Sequence, residues 1–152
     1  MKLKAGDKAP SIEAMDQFGR RISLSDFAGS KVILYFYPKD DTPGCTAEAC
    51  SLRDNNTILL EKGFKIIGVS ADDAKAHVKF TEKYKLPFPL IPDTDKKVIQ
   101  DYGVWGRKKF MGREYDGIIR TTFVISEDGH ILKIFEKVDT KDHADQILSE
   151  IK

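Results

Sequence analysis

Residues 35–50 run YFYPKDDTPGCTAEAC, and the rest of the chain is organised around them. They begin at the end of a short apolar run whose β-branched and aromatic side chains predict a buried strand. Pro38 ends this strand. Thr42 followed by Pro43 is typical of a helix start, with Thr as N-cap and Pro at the first helical position. Cys45 then falls in the first turn of the helix, where the helix dipole and free backbone N–H groups favour the nucleophilic thiolate.

A second cysteine, Cys50, lies five residues further along the same predicted helix. Five residues of ideal helix place two Cα atoms about 8.6 Å apart on faces about 140° apart, whereas a disulfide needs Cα atoms within about 7 Å. The two cysteines therefore cannot bond while this helix is intact: either they never pair, or its first turns unravel. The spacing is not C-x-x-C, so it indicates neither a zinc knuckle nor a thioredoxin-type dithiol.

The composition is that of one ordinary globular domain, which we expect to span residues 1–152. Of the 152 residues, 41% are hydrophobic and 32% are charged, enough for one sizeable core. A net charge of +1 gives no electrostatic basis for binding nucleic acid or an acidic membrane. No apolar run approaches a membrane span, and the opening MKLKAGDK lacks the apolar core of a signal peptide. We therefore expect a cytoplasmic protein, in which a cysteine pair is more often catalytic than structural.

The order of apolar runs and helical patterns predicts an α/β fold, with a mixed central β-sheet flanked by helices and an N-terminal β-hairpin. The two most hydrophobic strands, joined through a helix, are expected to pair in parallel. In chain order we predict a hairpin over residues 9–23, one helical turn at 25–29, a strand at 31–37, a helix at 43–62, a strand at 64–70, a helix at 72–84, an edge strand within 86–93, a short helix at 96–102, a long loop at 104–118, strands at 120–126 and 131–138 joined by a turn, and a last helix capped by Asp139 or Thr140 and ending near Ile151.

The motif around Cys45 matches a known family. Pro38, Thr42 and Cys45 stand in the spacing P-x3-[TS]-x2-C, which resembles the signature of peroxiredoxins, thiol peroxidases with a thioredoxin-like fold. Cys50 and Arg120, together with the segments GVWG (103–106), FMG (110–112) and YDGI (115–118), resemble the bacterioferritin comigratory protein/PrxQ subgroup. The resemblance runs along almost the whole chain and implies the thioredoxin-like fold.

The resemblance also implies a catalytic cycle. Cys45 would be the peroxidatic cysteine, which attacks hydrogen peroxide or an organic hydroperoxide and becomes a sulfenic acid. Cys50 would be the resolving cysteine, which forms an intramolecular disulfide after the helix has opened. Thioredoxin or a glutaredoxin-like protein would then reduce this disulfide. The subgroup implies a monomer.

Three further residues would complete the site. Thr42 would cap the helix through its side-chain oxygen and point its hydroxyl hydrogen at the sulfur or the peroxide. Pro38 would shield the thiolate from water. Arg120 would hold the thiolate and polarise the peroxide oxygens with its planar guanidinium. No P-loop, GxGxxG motif or clustered metal ligands appear in the sequence, so no cofactor or metal is expected.

Simpler interpretations stay open for each of these residues. They are an inert core thiol for Cys45, a small core residue for Cys50, helix capping alone for Thr42, strand termination for Pro38, and a salt bridge to Glu48 or Asp54 for Arg120. Two rival functions also remain: a general disulfide oxidoreductase, and a binding or chaperone-like module with a redox-sensitive thiol.

The remaining polar and aromatic residues near the motifs receive no catalytic role. The carboxylates could orient Arg120 or be simple surface charges, and we favour the surface for them. We also expect the histidines at the surface, and the two aromatic residues either to wall the site or to belong to the core. The carboxylates are Glu48, Asp40 and Asp41; the histidines are His77, His130 and His143; the aromatic residues are Trp105 and Phe110.

Overall fold

The computed structural model describes residues 3–151, and a five-stranded mixed sheet forms its centre. The middle strand, β3 (Lys31–Phe36), pairs in parallel with β4 (Phe64–Ser70) and antiparallel with β8 (Thr121–Ile125). β5 (Leu90–Pro92) pairs in parallel with β4 at one edge, and β9 (Ile131–Phe135) pairs antiparallel with β8 at the other. The predicted mixed sheet, its parallel central pair and the edge position of the proline-rich segment are confirmed.

A separate two-stranded hairpin precedes this sheet, as predicted. β1 (Glu13–Met15) and β2 (Arg21–Ser23) pair antiparallel. Asp16 holds the connecting turn, because one carboxylate oxygen accepts from the backbone N–H groups of Phe18 and Arg20, both at 2.9 Å.

Helices cover both faces of the central sheet. Side chains alternate along β3, so Val32, Leu34 and Phe36 pack into one apolar cluster while Ile33, Tyr35 and Tyr37 pack into another. The five helices are α1 (Pro43–Asp54), α2 (Asn56–Glu61), α3 (Ala74–Tyr84), α4 (Lys97–Asp101) and α5 (His143–Glu150). Residues of α4 belong to the first cluster, and residues of the other four helices belong to the second.

The helix predicted over residues 43–62 is interrupted, which corrects the sequence analysis. α1 ends at Asp54 and α2 begins at Asn56. Between them, the Asn55 side-chain amide donates to the Ser51 carbonyl at 2.8 Å. Asn competes for backbone hydrogen bonds in this way and has a low helix propensity, so two consecutive asparagines mark the break.

The loop predicted over residues 104–118 is wrong, because this segment is a hairpin. β6 (Trp105–Phe110) and β7 (Arg113–Ile118) pair antiparallel around Met111 and Gly112, whose φ values are +51° and +78°. Two consecutive left-handed residues are characteristic of the tight turns that match strand twist. Most residues of both strands are exposed, and only Ile118 is buried, so the sequence carries no alternation of apolar and polar residues.

Other boundaries differ only at their ends. α3 starts at Ala74, because the Asp73 carboxylate accepts from the Ala76 backbone N–H at 2.8 Å and caps the helix. α5 starts after Asp142, so neither predicted cap begins it; Asp139 instead accepts from the Asp142 backbone N–H at 3.3 Å. No helix within residues 3–151 has both the length and the apolar composition needed to cross a bilayer.

Candidate active site

Cys45 lies where the end of β3 meets the start of α1. The Tyr37 backbone N–H donates to Val69 at 3.1 Å, which extends the β3–β4 pairing one residue beyond β3. The chain then turns through residues 38–42 and enters α1 at Pro43. Cys45 is 1% exposed and packs in the second apolar cluster, below the sheet face that carries Tyr37. Strand and helix therefore fix the sulfur from two sides.

Arg120 reaches this sulfur from the neighbouring strand. It immediately precedes β8, whose first residue, Thr121, pairs with Phe36 of β3. Arg120 Nη2 lies 3.4 Å from Cys45 Sγ, and Arg120 Nη1 donates to Glu48 Oε1 at 2.7 Å. The salt bridge to Glu48 and the contact with the thiol, which the sequence analysis treated as alternatives, are both present.

Glu48 is part of this site and not of the surface, which corrects the prediction for it. Its side chain is completely buried one turn after Cys45. Burial raises the pKa of Glu48 to about 7, although the Arg120 guanidinium opposes the shift. Of the two roles that the sequence left open for Glu48, the structure shows the contact with Arg120, which comes from 72 residues further along the chain.

Thr42 is the N-cap residue of α1, but its side chain does not cap the helix. Its hydroxyl donates to the Lys39 carbonyl at 2.8 Å, which corrects the predicted hydrogen bond to the helix. Since this hydrogen is already used, the hydroxyl faces other ligands only as an acceptor. Pro38, also named in the predicted site, is half-buried and directly follows Tyr37.

A buried polar network holds the 38–42 loop in place. Asp40 accepts from the Tyr37 hydroxyl and from His77 Nδ1, both at 2.6 Å, and its backbone N–H donates to Asp72 at 2.8 Å. His77 is fully buried and its Nε2 lies 3.2 Å from the Ile91 carbonyl. The surface positions predicted for Asp40 and His77 are therefore wrong, because the partners of both residues lie far away in sequence.

Asp40, Asp72 and His77 also offer three potential metal-ligand atoms within 4.8 Å of one another. These atoms already bond each other or nearby hydroxyl groups, as when the Ser70 hydroxyl donates to Asp72 at 2.8 Å. We therefore assign this cluster to fixing the loop.

The surface position predicted for Asp41 and His130 is confirmed, and the one predicted for His143 is wrong. Asp41 is exposed as predicted and accepts from Lys83 at 2.7 Å. His130 is also exposed, but His143 is completely buried behind Glu48. Desolvation lowers the pKa of His143 to about 4, so it is neutral at neutral pH.

The two aromatic residues whose position the sequence left open differ in burial. Trp105 is partly buried and packs against the first apolar cluster. Phe110 is 66% exposed on the hairpin, so it belongs neither to the core nor to a site wall.

Cys50 is half-buried on the same uninterrupted helix as Cys45, and both thiols are free. The helical geometry that separates the two sulfur-bearing residues is thus present. A bond between them requires α1 to open first.

Together the fold and the site define a thiol enzyme on a thioredoxin-like sheet, with a cysteine at a helix start and an arginine at the sulfur. Comparison with known proteins gives the same class. The family model for AhpC/TSA matches residues 5–134. The chain is 46% identical over 150 residues to a putative peroxiredoxin bcp of Haemophilus influenzae, covering 99% of this chain and 97% of that protein. It is 45% identical over 152 residues to peroxiredoxin Bcp of Bacillus subtilis, covering 100% and 97%.

A solved structure of the Xanthomonas campestris bacterioferritin comigratory protein superimposes with a TM-score of 0.88 at 32% identity, covering 97% of this chain and 96% of that one. The chain belongs to the AhpC/TSA family and is a peroxiredoxin, a thiol-dependent peroxidase. The predicted resemblance and the predicted thioredoxin-like fold are confirmed.

Proposed function

We propose that Cys45 is the peroxidatic cysteine and reduces hydrogen peroxide and organic hydroperoxides. The observation that carries this is the Arg120 guanidinium, which touches Cys45 Sγ at 3.4 Å inside the first turn of α1. The positive charge and the helix start both favour the thiolate, which attacks the terminal peroxide oxygen and becomes a sulfenic acid. The Xanthomonas campestris relative is described as having alkyl peroxide reduction activity, which supports the inclusion of organic hydroperoxides.

Arg120 also gives the substrate a route to a buried sulfur. Cys45 itself is 1% exposed, while the Arg120 side chain is 24% exposed. A small peroxide therefore approaches along the guanidinium, which polarises its oxygens as negative charge moves onto the departing one. The Thr42 hydroxyl oxygen accepts a hydrogen bond from the peroxide O–H through its free lone pairs. Pro38 shields the sulfur from bulk water.

Cys50 resolves the sulfenic acid in this proposal. The thiol attacks the oxidised sulfur, water leaves, and an intramolecular Cys45–Cys50 disulfide forms after the first turns of α1 have opened. A thioredoxin-type protein then reduces this disulfide, with a glutaredoxin-like protein as the alternative reductant.

The proposal extends to the domain, the assembly and the location of the protein. Both apolar clusters share one central sheet, which supports a single domain over residues 1–152. All the proposed catalytic residues come from one chain, which supports a monomer. The proposed cycle needs both cysteines returned to thiols, which a reducing compartment maintains, so we place the protein in the cytoplasm.

Peroxide consumption with thioredoxin and its reductase tests the roles of the two cysteines. Cys45→Ser is expected to abolish turnover, and Cys50→Ser to make one sulfenic acid per chain but lose turnover with thioredoxin. Undiminished turnover in Cys45→Ser would refute the peroxidatic role. Insulin reduction without peroxide would instead favour a general disulfide oxidoreductase, and a thiol that oxidises without any turnover would favour a redox-sensitive binding module.

A further inference from the structure

One oxygen atom of the Glu48 carboxyl has no hydrogen-bond donor. Oε1 accepts from Arg120 at 2.7 Å, but Oε2 is completely buried and has no partner. An ionised carboxylate in this setting would leave a charged oxygen desolvated and unpaired, which is costly. A protonated carboxyl carries no charge and lowers this cost.

The group that faces Glu48 Oε2 is His143 Nε2, at 3.5 Å, and hydrogen bonds fix the tautomer of this histidine. Gln146 Nε2 donates to the Lys137 carbonyl at 2.8 Å, and Gln146 Oε1 accepts from the Asp139 backbone N–H at 2.9 Å. The same Oε1 lies 2.9 Å from His143 Nδ1, so Nδ1 must carry the ring hydrogen. Nε2 of the neutral ring then carries a lone pair, which accepts from the Thr122 hydroxyl at 2.8 Å. Nε2 therefore has no hydrogen to donate to Glu48 Oε2, and a negative charge on Oε2 would face this lone pair without compensation.

The charges around the site favour the same arrangement. Arg120 is the one cation that touches both Glu48 and Cys45 within the described residues, and a single cation compensates a single buried anion. Lys108 also acts on Cys45, while its ammonium bonds the Ile118 carbonyl. One guanidinium therefore compensates a charge on the sulfur or a charge on Glu48, but not both.

The other titratable groups near the site do not compete for this role. The buried phenol of Tyr35, on β3, lies near Cys45 and Glu48, and burial keeps its pKa well above the ordinary value, so it stays neutral. Asp40, which also acts on this phenol, is committed to Tyr37 and His77.

We propose that Glu48, whose buried Oε2 has no donor, holds one proton while Cys45 is a thiolate and releases it when Cys45 is oxidised. This inference rests on the proposed peroxidase function of Cys45. Glu48 acts through Arg120 and does not touch the peroxide, so it is a positioning residue that also stores a proton.

The reaction balances without a proton from solvent. The thiolate forms the S–O bond as the O–O bond breaks; the sulfur loses two electrons, and the departing oxygen gains them. The peroxide hydrogen stays on the sulfenic acid. The departing alkoxide or hydroxide takes up one proton while Glu48 releases one, so the net proton uptake from solvent is zero. Because the sulfenic acid is uncharged, Arg120 then pairs with the Glu48 carboxylate alone.

Proton uptake during a single turnover tests this inference. The parent is the reduced Cys50→Ser protein, which stops at the sulfenic acid; it is mixed with one equivalent of hydrogen peroxide and a pH indicator in weak buffer just below neutral pH. The parent is expected to take up no proton per sulfenic acid, and the same protein with Glu48→Gln to take up one. Glu61→Gln, at an exposed carboxyl of α2, is the matched control and is expected to behave as the parent.

Equal uptake with and without Glu48 would overturn the inference. A parent in which Cys45 fails to react with peroxide would instead overturn the proposed function. Infrared difference spectra of the parent alone give a second readout that needs no folded Glu48 variant. The band of a protonated carboxyl is expected to disappear on oxidation, and a spectrum without that loss would contradict the stored proton.

Discussion

At the scale of single residues, the site depends on Arg120 serving two partners at once. Its two terminal nitrogens reach Cys45 Sγ and Glu48 Oε1 at 3.4 and 2.7 Å. A planar guanidinium holds both in one fixed geometry, whereas a lysine ammonium is a point charge on a flexible stem. The thiol and the buried carboxyl are therefore coupled through one side chain.

Arg120→Lys is expected to slow peroxide attack on Cys45 by roughly 10²-fold, the usual cost of losing one oriented donor to developing negative charge. Stopped-flow measurement of peroxide attack gives the rate, with Arg107→Lys, at an exposed arginine of β6, as the control. Equal rates in the two variants would remove Arg120 from its role.

Residue identity in the motif was predictable, but burial of the surrounding polar residues was not. The spacing of Pro38, Thr42 and Cys45 lies within eight consecutive positions and needs no tertiary information. Glu48, by contrast, is buried by Arg120, and His143 has Thr122 at 2.8 Å as a partner. A polar side chain whose partners come from distant strands looks, in sequence, like a surface residue.

At the scale of elements, α1 has two tasks that conflict. It must be intact to present Cys45 at its start, and it must open for Cys50 to reach the sulfur. Its C-terminal half is tied to α5, since the Ser51 hydroxyl accepts from the Ala144 backbone N–H at 3.2 Å. We therefore expect opening to begin at the N-terminal turns, between Thr42 and Cys50.

Ala47→Gly is expected to accelerate disulfide formation after peroxide attack by roughly fivefold, because glycine weakens a helix interior by about 1 kcal/mol. The disulfide is followed by rapid quenching and mass spectrometry of the alkylated protein. Ala76→Gly makes the corresponding change inside α3, at a residue of similar burial, and should leave the rate unaltered. A rate in Ala47→Gly that matched this control would show that helix opening does not limit the step.

Elements were predictable where one or both of their faces are buried. β3 and β4 carry continuous apolar runs because helices cover both sides of the sheet. The β6–β7 hairpin was missed because it is stabilised by its backbone ladder and by the left-handed turn at Met111 and Gly112. A strand with no buried face leaves no periodic pattern in the sequence.

At the scale of the whole molecule, two buried groups oppose each other in the dependence of stability on pH. The pKa of Glu48 is raised from 4.5 to about 7, so the folded state binds the extra proton and this contribution to stability is lost as the pH rises through that range. The pKa of His143 is lowered from 6.5 to about 4, so its contribution is lost as the pH falls through that range. The two slopes largely cancel in the wild type.

Glu48→Gln should remove one of these slopes. Between pH 4.5 and 7, its free energy of unfolding is expected to rise relative to that of the wild type by about 3 kcal/mol. Urea unfolding of both reduced proteins at several pH values measures this difference. Curves that stay parallel over the whole range would show that Glu48 does not titrate as described.

The central claim is that the sulfur of Cys45 takes an oxygen atom from a peroxide. Its most direct test is the mass of the reduced Cys50→Ser protein after one equivalent of hydrogen peroxide, with dimedone added to trap a sulfenic acid and peptides mapped afterwards. The account predicts a single dimedone adduct per chain, located on Cys45. An unmodified Cys45 after exposure to peroxide, or an adduct at any other residue, would contradict it.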